Sequence, residues 1–329
     1  MSKQPLTIDC KDGVYSYVEQ PQMQVEVILA SRHAEYPEEK PLYTVRMRYP
    51  RIIHGELMTH RMFSRNARSS RAVPVKTMLL ECTSIPFIPW HWGKNQKGMQ
   101  AAEECNERVG VRFDGVKSPF EMTREDAWLH TRNKAVQVAE AYMNAGYHKQ
   151  IPNRLLEPFS WIDTLVTAND WGNFLWLRDH KDAEPHLQDL ARLVGQALDN
   201  MEVQDLQPGE WHLPYVTSED WMAASSKTYD APGGMSATLR NEFLRKISAA
   251  RCARISYKPF DGDASYEREL DRYDHLVTSE RVHASPTEHQ ASPDVYDEEY
   301  EDWVSPELHG NLEGWIQARK LIPNERHYG

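Results

Sequence analysis

The chain has 329 residues, 40% of them hydrophobic and 26% charged, with a formal charge of −11 at pH 7. That length buries a full core in one large domain or two ordinary ones, and no apolar run reaches the roughly 18 residues of a membrane span. The acidic balance disfavours a general nucleic-acid coat, which must neutralise many phosphates with Lys and Arg, so no nucleic-acid and no membrane partner is expected.

"MSKQPLTIDCKDG" lacks an apolar signal core, which predicts a cytoplasmic protein. Cys10, Cys82, Cys105 and Cys252 are far apart and show neither CxxC nor Cys/His ligand spacing. They read as small buried hydrophobes, with no disulfide framework and no metal site.

Along the chain, "EVILA" (26–30) and "LYTVRMRYP" (42–50) alternate β-branched and aromatic residues with polar ones and predict strands. From Ile52 to about Ser70, the recurrence of Ile53, Leu57, Met58, Met62 and Phe63 predicts a helix. Prolines, glycines and tryptophans make 82–100 a structured loop. "REDAWLHTRNKAVQVAEAYMNAG" predicts a helix stopped by Gly146. "NRLLEPFSWIDTLVTANDWGNFLWLRDH" (153–180) reads as an apolar helical pair interrupted at Pro158, and "LQDLARLVGQALDNM" as an amphipathic helix. "GEWHLPYV" (209–216) is strand-like, further helices are expected at about 237–252 and 265–279, and "DVYDEEYEDW" (294–303) reads as a solvated loop. The order predicts an α/β domain with a mixed sheet.

In "HRMFSRNARSSRAVP" (60–74), Arg61, Arg65, Arg68 and Arg71 occur without any carboxylate between Glu56 and Glu81. On the predicted helix the first three share a face suited to phosphate, with Ser64, Asn66, Ser69 and Ser70 as short hydrogen-bonding companions; carboxylates elsewhere in the fold account for them equally well. In "HASPTEHQA" (283–291), Ser285, Pro286 and Glu288 fit N-cap, N1 and N3 of a capping box, while His283 and His289 beside a helix N-terminus also suit an anionic ligand. Asn169 and Asn173 fall four apart on a predicted helical face with Arg178 beyond, and such amides need a partner. Arg154 in "NRLLEPF" raises the same question. Nucleotide loops of the GxGxxG and GxxxxGK[ST] kinds are absent, as are HExxH and GxSxG.

"THRMFSRNARSSR" resembles the hallmark of the flavin-dependent thymidylate synthases, R-H-R-x-x-S-x-N-x-x-S-x-R: His60, Arg61, Ser64, Asn66, Ser69 and Arg71 match, and Thr59 stands where the motif opens with Arg. "NFLWLR" (173–178) and "NRLLEPF" resemble two further blocks in the usual order. "ARISY" (253–257) and "HASPTEH" resemble blocks that normally precede the hallmark, so the chain resembles a circularly permuted, phage-type member, down to "GWIQARK" near its end.

The resemblance implies one catalytic domain over 1–329 with insertions at about 82–148 and 200–240. It implies a mixed sheet flanked by helices, in a homotetramer with sites shared between subunits. The implied reaction is reductive methylation of dUMP at C5 with FAD, NADPH and 5,10-methylenetetrahydrofolate, and it needs no cysteine nucleophile. Arg178 would be catalytic at the pyrimidine. Ser69, Ser70 and Arg71 would hold the phosphate, with Arg154 adding a nucleotide contact. His60, Arg61, Asn66, Asn169, Asn173, Ser285 and Glu288 would meet FAD.

Glu56 aligns with a substrate-side Gln of the family, and Ala67 with a Glu. Replacing an amide by a carboxylate leaves only an acceptor, which opens dCMP as substrate and a methylated or hydroxymethylated nucleotide for modified DNA as product. Thr59 and Ala67 also open a non-catalytic nucleotide-binding homologue. A phage-encoded enzyme would work in the host cytoplasm.

Overall fold

The computed structural model describes residues 8–11, 14–17, 23–101, 103–226, 237–255, 263–277 and 282–326. At its centre is a mixed sheet of β1 (Gln24–His33), β2 (Leu42–Pro50), β3 (Ser64–Ala67), β4 (Trp161–Ala168) and β5 (Gln204–Leu206), in the spatial order β3-β4-β2-β1-β5. All neighbours are antiparallel except β5, which runs parallel to β1. The two strands expected from alternation are β1 and β2, and the expected mixed α/β class holds.

Two expected helices are instead sheet. In 153–180, only Gln150–Leu155 and α3 (Gly172–Arg178) flank the run, while Trp161–Ala168 is a strand whose every residue is buried. Because β4 is covered on both faces it shows no polar alternation, and its Ile162, Thr164, Val166 and Thr167 favour an extended chain. The stripe from Ile52 is helical only over Arg51–Ile53 and His54–Leu57, after which Ser64–Ala67 pairs with β4. The arginines of 60–74 therefore form no helical row.

The other helices are α1 (Val75–Ser84), α2 (Arg124–Asn144), α4 (Pro185–Asp199), α5 (Ser218–Ser226), α6 (Ala237–Ala253) and α7 (Tyr266–Val277). Helix α2 starts on Thr123, whose hydroxyl accepts from Asp126 N at 3.0 Å, and stops as expected before Gly146 at φ +83°. The end of the helix expected to 279, and the last two residues of "ARISY", lie outside the described residues. "GEWHLPYV" is no strand; His212 alone bridges to Ala291. Cys82 and Cys252 are buried as expected, Cys105 is half-buried, and the side chain of Cys10 is outside the described set.

Asp294 is no solvated acid: 2% exposed, its carboxylate accepts from His309 Nε2 at 2.9 Å, Ser305 N at 2.8 Å and Val295 N at 2.9 Å. Three donors offset its desolvation. No described helix is long and apolar enough to cross a membrane.

One face of the sheet (Val45, Met47, Tyr49, Ile162, Val166) packs on Leu187, Leu190 and Val194 of α4 and on Phe63, Trp171 and Phe174. The other packs Leu165 against Cys252 and Ile255, and carries a buried polar series. His212 bonds Ser31 Oγ at 2.7 Å and Thr44 Oγ1 at 2.8 Å, Thr44 bonds Thr167 at 2.6 Å, and Thr167 bonds His289 Nδ1 at 2.8 Å.

Burial pulls both His212 and His289 down to about 3 from an ordinary 6.5. The unfolded chain thus takes up protons first, so the stability held above pH 6.5 is lost as pH falls toward the folded values. Going from pH 7 to 5 is expected to cost about 2 kcal/mol for each ring. Urea midpoints at the two pH values, repeated with His289→Asn, check this; an unchanged pH dependence in the variant would exclude His289 as a source.

Candidate functional site

Strand β4 leads directly into α3, and its antiparallel neighbour β3 begins directly after the 56–63 turn, with Ser64 opposite Thr167. The hallmark and "NFLWLR" must therefore meet at that end of the sheet. They line one cleft: Thr59, His60, Arg61 and Phe63 from the turn, Asn173, Phe174, Leu177 and Arg178 from α3, with Asp170 between. Its apolar floor is aromatic. Phe63 lies 4.7 Å from Trp171 and 5.4 Å from Phe174, and His60 meets Phe174 edge-on at 5.0 Å.

Arg178 donates through Nε to His60 Nε2 at 2.9 Å and through Nη2 to Thr59 Oγ1 at 3.1 Å, and its Nη1 lies 3.8 Å from Glu56 Oε2. A ring nitrogen that accepts must be unprotonated. Burial, then the charges of Arg178 and Arg65, pull His60 down to about 4, so it is neutral at pH 7. Burial and then Glu184 raise Glu56, against the lowering effect of Arg178.

Of the four arginines, two are occupied within the chain. Arg65 donates to Met58 O at 2.6 Å and His60 O at 3.1 Å, which shapes the turn. Arg68 forks onto Glu81 at 2.8 and 3.0 Å, so part of the missing counter-charge is internal and arrives from α1. Arg61 and Arg71, and likewise Arg154, are exposed and pair with no carboxylate among the described residues.

The displaced "HASPTEH" block also reaches the hallmark. Gln317 Nε2 donates to Ser64 Oγ at 3.2 Å and to Glu288 O at 3.2 Å, Asn311 Nδ2 donates to Met62 O at 2.8 Å, and Asn66 Nδ2 donates to Cys252 O at 3.3 Å. The expected capping box does not form. Ser285–Glu288 is a single tight turn whose N-cap is Ala284 without a side-chain bond; Ser285 is exposed and Glu288 is taken by Arg319. His289 is buried on Thr167, so it is not offered to an external anion. Asn169 precedes α3 and donates to Glu313 O at 2.7 Å, so it shares no helical face with the exposed Asn173.

Ser69, Ser70 and Arg71 sit at the opposite end of β4. Asn153 Nδ2 fastens that loop by donating to Ser70 O at 2.7 Å and Val73 O at 2.9 Å, and Arg154 is the next residue.

No protein-family model matches the chain, and no curated protein matches it. Among solved structures it is similar to the UMP/dUMP methylase PolB from Streptomyces cacaoi bound with 5-Br UMP, at 16% identity and TM-score 0.40, over 54% of this chain and 90% of that one. It is also similar to the flavin-dependent thymidylate synthase ThyX from Helicobacter pylori complexed with FAD and dUMP, at 17% identity and TM-score 0.32, over 50% of this chain and 70% of that one.

Sequence reasoning missed Asp170, Asn311 and the contact that Thr59 makes. Asp170 stood next to Asn169 in the quoted run, but its ion pair with Lys40 at 3.1 Å spans the sheet and leaves no spacing signal. Thr59 was visible only as a departure from a motif.

Proposed function

We propose that the chain is a flavin-dependent pyrimidine nucleotide methylase that converts dUMP to dTMP with NADPH and 5,10-methylenetetrahydrofolate. One observation carries this reading: the hallmark and "NFLWLR", 118 residues apart, share a cleft in which Arg178 bonds His60. The C-terminal block closes on the same strand, which gives the permuted order of motifs a single neighbourhood in space.

The donors at the cleft fit FAD. Arg61 and Asn173 are exposed, Arg61 lacks a carboxylate among the described residues, and Phe63 and Phe174 supply apolar walls. His60, Arg61 and Asn173 would hold it from the cleft, with Asn66, Asn169, Ser285 and Glu288 bounding the neighbouring surface. When bound, the reduced flavin supplies hydride to the transferred carbon. Arg178, with N–H donors left over, stabilises negative charge on the pyrimidine as C5 becomes nucleophilic. The neutral His60 beside it adds no competing positive charge.

Ser69, Ser70, Arg71 and Arg154 form the phosphate end. Each site would join Arg178 of one copy to Arg71 and Arg154 of another in a homotetramer, as the resemblance implies. Residues 82–148 and 200–240 would be additions to this catalytic body.

A second reading, methylation or hydroxymethylation of dCMP, is favoured by Glu56. Its carboxylate stands 3.8 Å from Arg178 and, as an acceptor, suits the exocyclic amine of cytosine. Purified protein incubated with FAD, NADPH, 5,10-methylenetetrahydrofolate and either dUMP or dCMP should yield dTMP from dUMP by mass spectrometry. Turnover of dCMP alone, or a hydroxymethyl product, would establish the second reading. A colourless protein that takes up no FAD would refute both.

A further inference from the structure

Arg178 ends a helix of seven residues. Its fixed position comes from the 56–60 turn, which meets the guanidinium on three sides: His60 at Nε, Thr59 at Nη2 and Glu56 facing Nη1. The hydroxyl of Thr59 is itself oriented. It donates to Glu56 O at 2.7 Å, which turns its lone pairs toward Arg178. We propose that Thr59 is a positioning residue for Arg178, an acceptor that holds the guanidinium in its working orientation while leaving other N–H donors for the nucleotide.

The resembling motif opens with arginine at this position. A guanidinium has no acceptor to offer Arg178, whereas the Thr59 hydroxyl accepts from its Nη2 at 3.1 Å. Thr59 is thus a different solution to occupying this corner, one in which the side chain binds Arg178 instead of a ligand. The inference rests on Arg178 acting at the pyrimidine.

The test compares Thr59→Val, which keeps the shape and loses the acceptor, with Thr59→Ser, which keeps the acceptor, and with Arg178→Ala, all in the full chain with FAD. Loss of one hydrogen bond to a charged group is expected to lower kcat about tenfold in Thr59→Val. KM for dUMP and flavin absorbance should be unchanged, and Thr59→Ser should stay within about twofold of the parent.

A Thr59→Val enzyme as active as the parent beside an inactive Arg178→Ala overturns the inference alone. So does a Thr59→Ser enzyme as impaired as Thr59→Val, or a Thr59→Val protein that loses flavin. Full activity in Arg178→Ala, or a parent that turns over no pyrimidine nucleotide, overturns the underlying reading and this inference with it.

Discussion

Replacing Asp220 with alanine is expected to destabilise the protein by about 3–5 kcal/mol, the range for stranding a buried charge. Asp220 and Arg251 are only 2% and 4% exposed, and the carboxylate accepts from Arg251 Nη1 at 2.6 Å and Nη2 at 2.9 Å. It also accepts from Tyr266 Oη at 3.0 Å and from Thr217 N at 2.7 Å, so one carboxylate ties α5, α6, α7 and the loop before α5. Burial acts to raise its pKa, but the bonds from Arg251 and Thr217 together outweigh burial and leave it below the usual carboxylate range. Without Asp220 the guanidinium of Arg251 stays desolvated. Urea denaturation of Asp220→Ala measures the loss, and a drop below about 1 kcal/mol would show that the ion is rehydrated instead. The double variant Asp220→Leu with Arg251→Met should recover much of the stability, since it removes both charges.

Arg178→Ala is expected to lower dUMP turnover by on the order of 10²–10³, the usual cost of one electrostatic donor at a developing charge. Flavin should remain bound, because Arg61 and Asn173 are untouched and α3 is anchored by Phe174, which is 1% exposed. Arg178→Lys should fare little better. An ammonium cannot reproduce the planar fork that meets His60 and Thr59 together. Single-turnover assays with flavin absorbance read beside them separate chemistry from cofactor loss; full activity in Arg178→Ala would refute its assignment.

The site was partly legible in the chain because motif spacing survives where chemistry needs particular residues. His60, Arg61, Asn173 and Arg178 were singled out and do share a cleft. Ser69, Ser70, Arg71 and Arg154 are singled out too, yet Asn153 fastens their loop beside the start of β4 and they are not among the residues lining that cleft. Asn169, Asn66 and Glu288 are engaged by Glu313, Cys252 and Arg319, partners that no local pattern announces. Arg65 and Arg68, equally open in the sequence to an anion or to internal partners, are fasteners, because the carbonyls and the Glu81 carboxylate they serve are brought close only by folding.

Local patterning by itself determined β1 and β2 through alternation, α2 through its helical spacing and Gly146 stop, and α4 through its apolar stripe. Each has one face more deeply buried than the other, so side-chain periodicity records the burial. Only the tertiary structure decided that Trp161–Ala168 is an interior strand and that Ser64–Ala67 is its edge partner. A strand covered on both faces carries no periodic signal, and a four-residue strand is held by the hydrogen bonds of its neighbour more than by its own propensity.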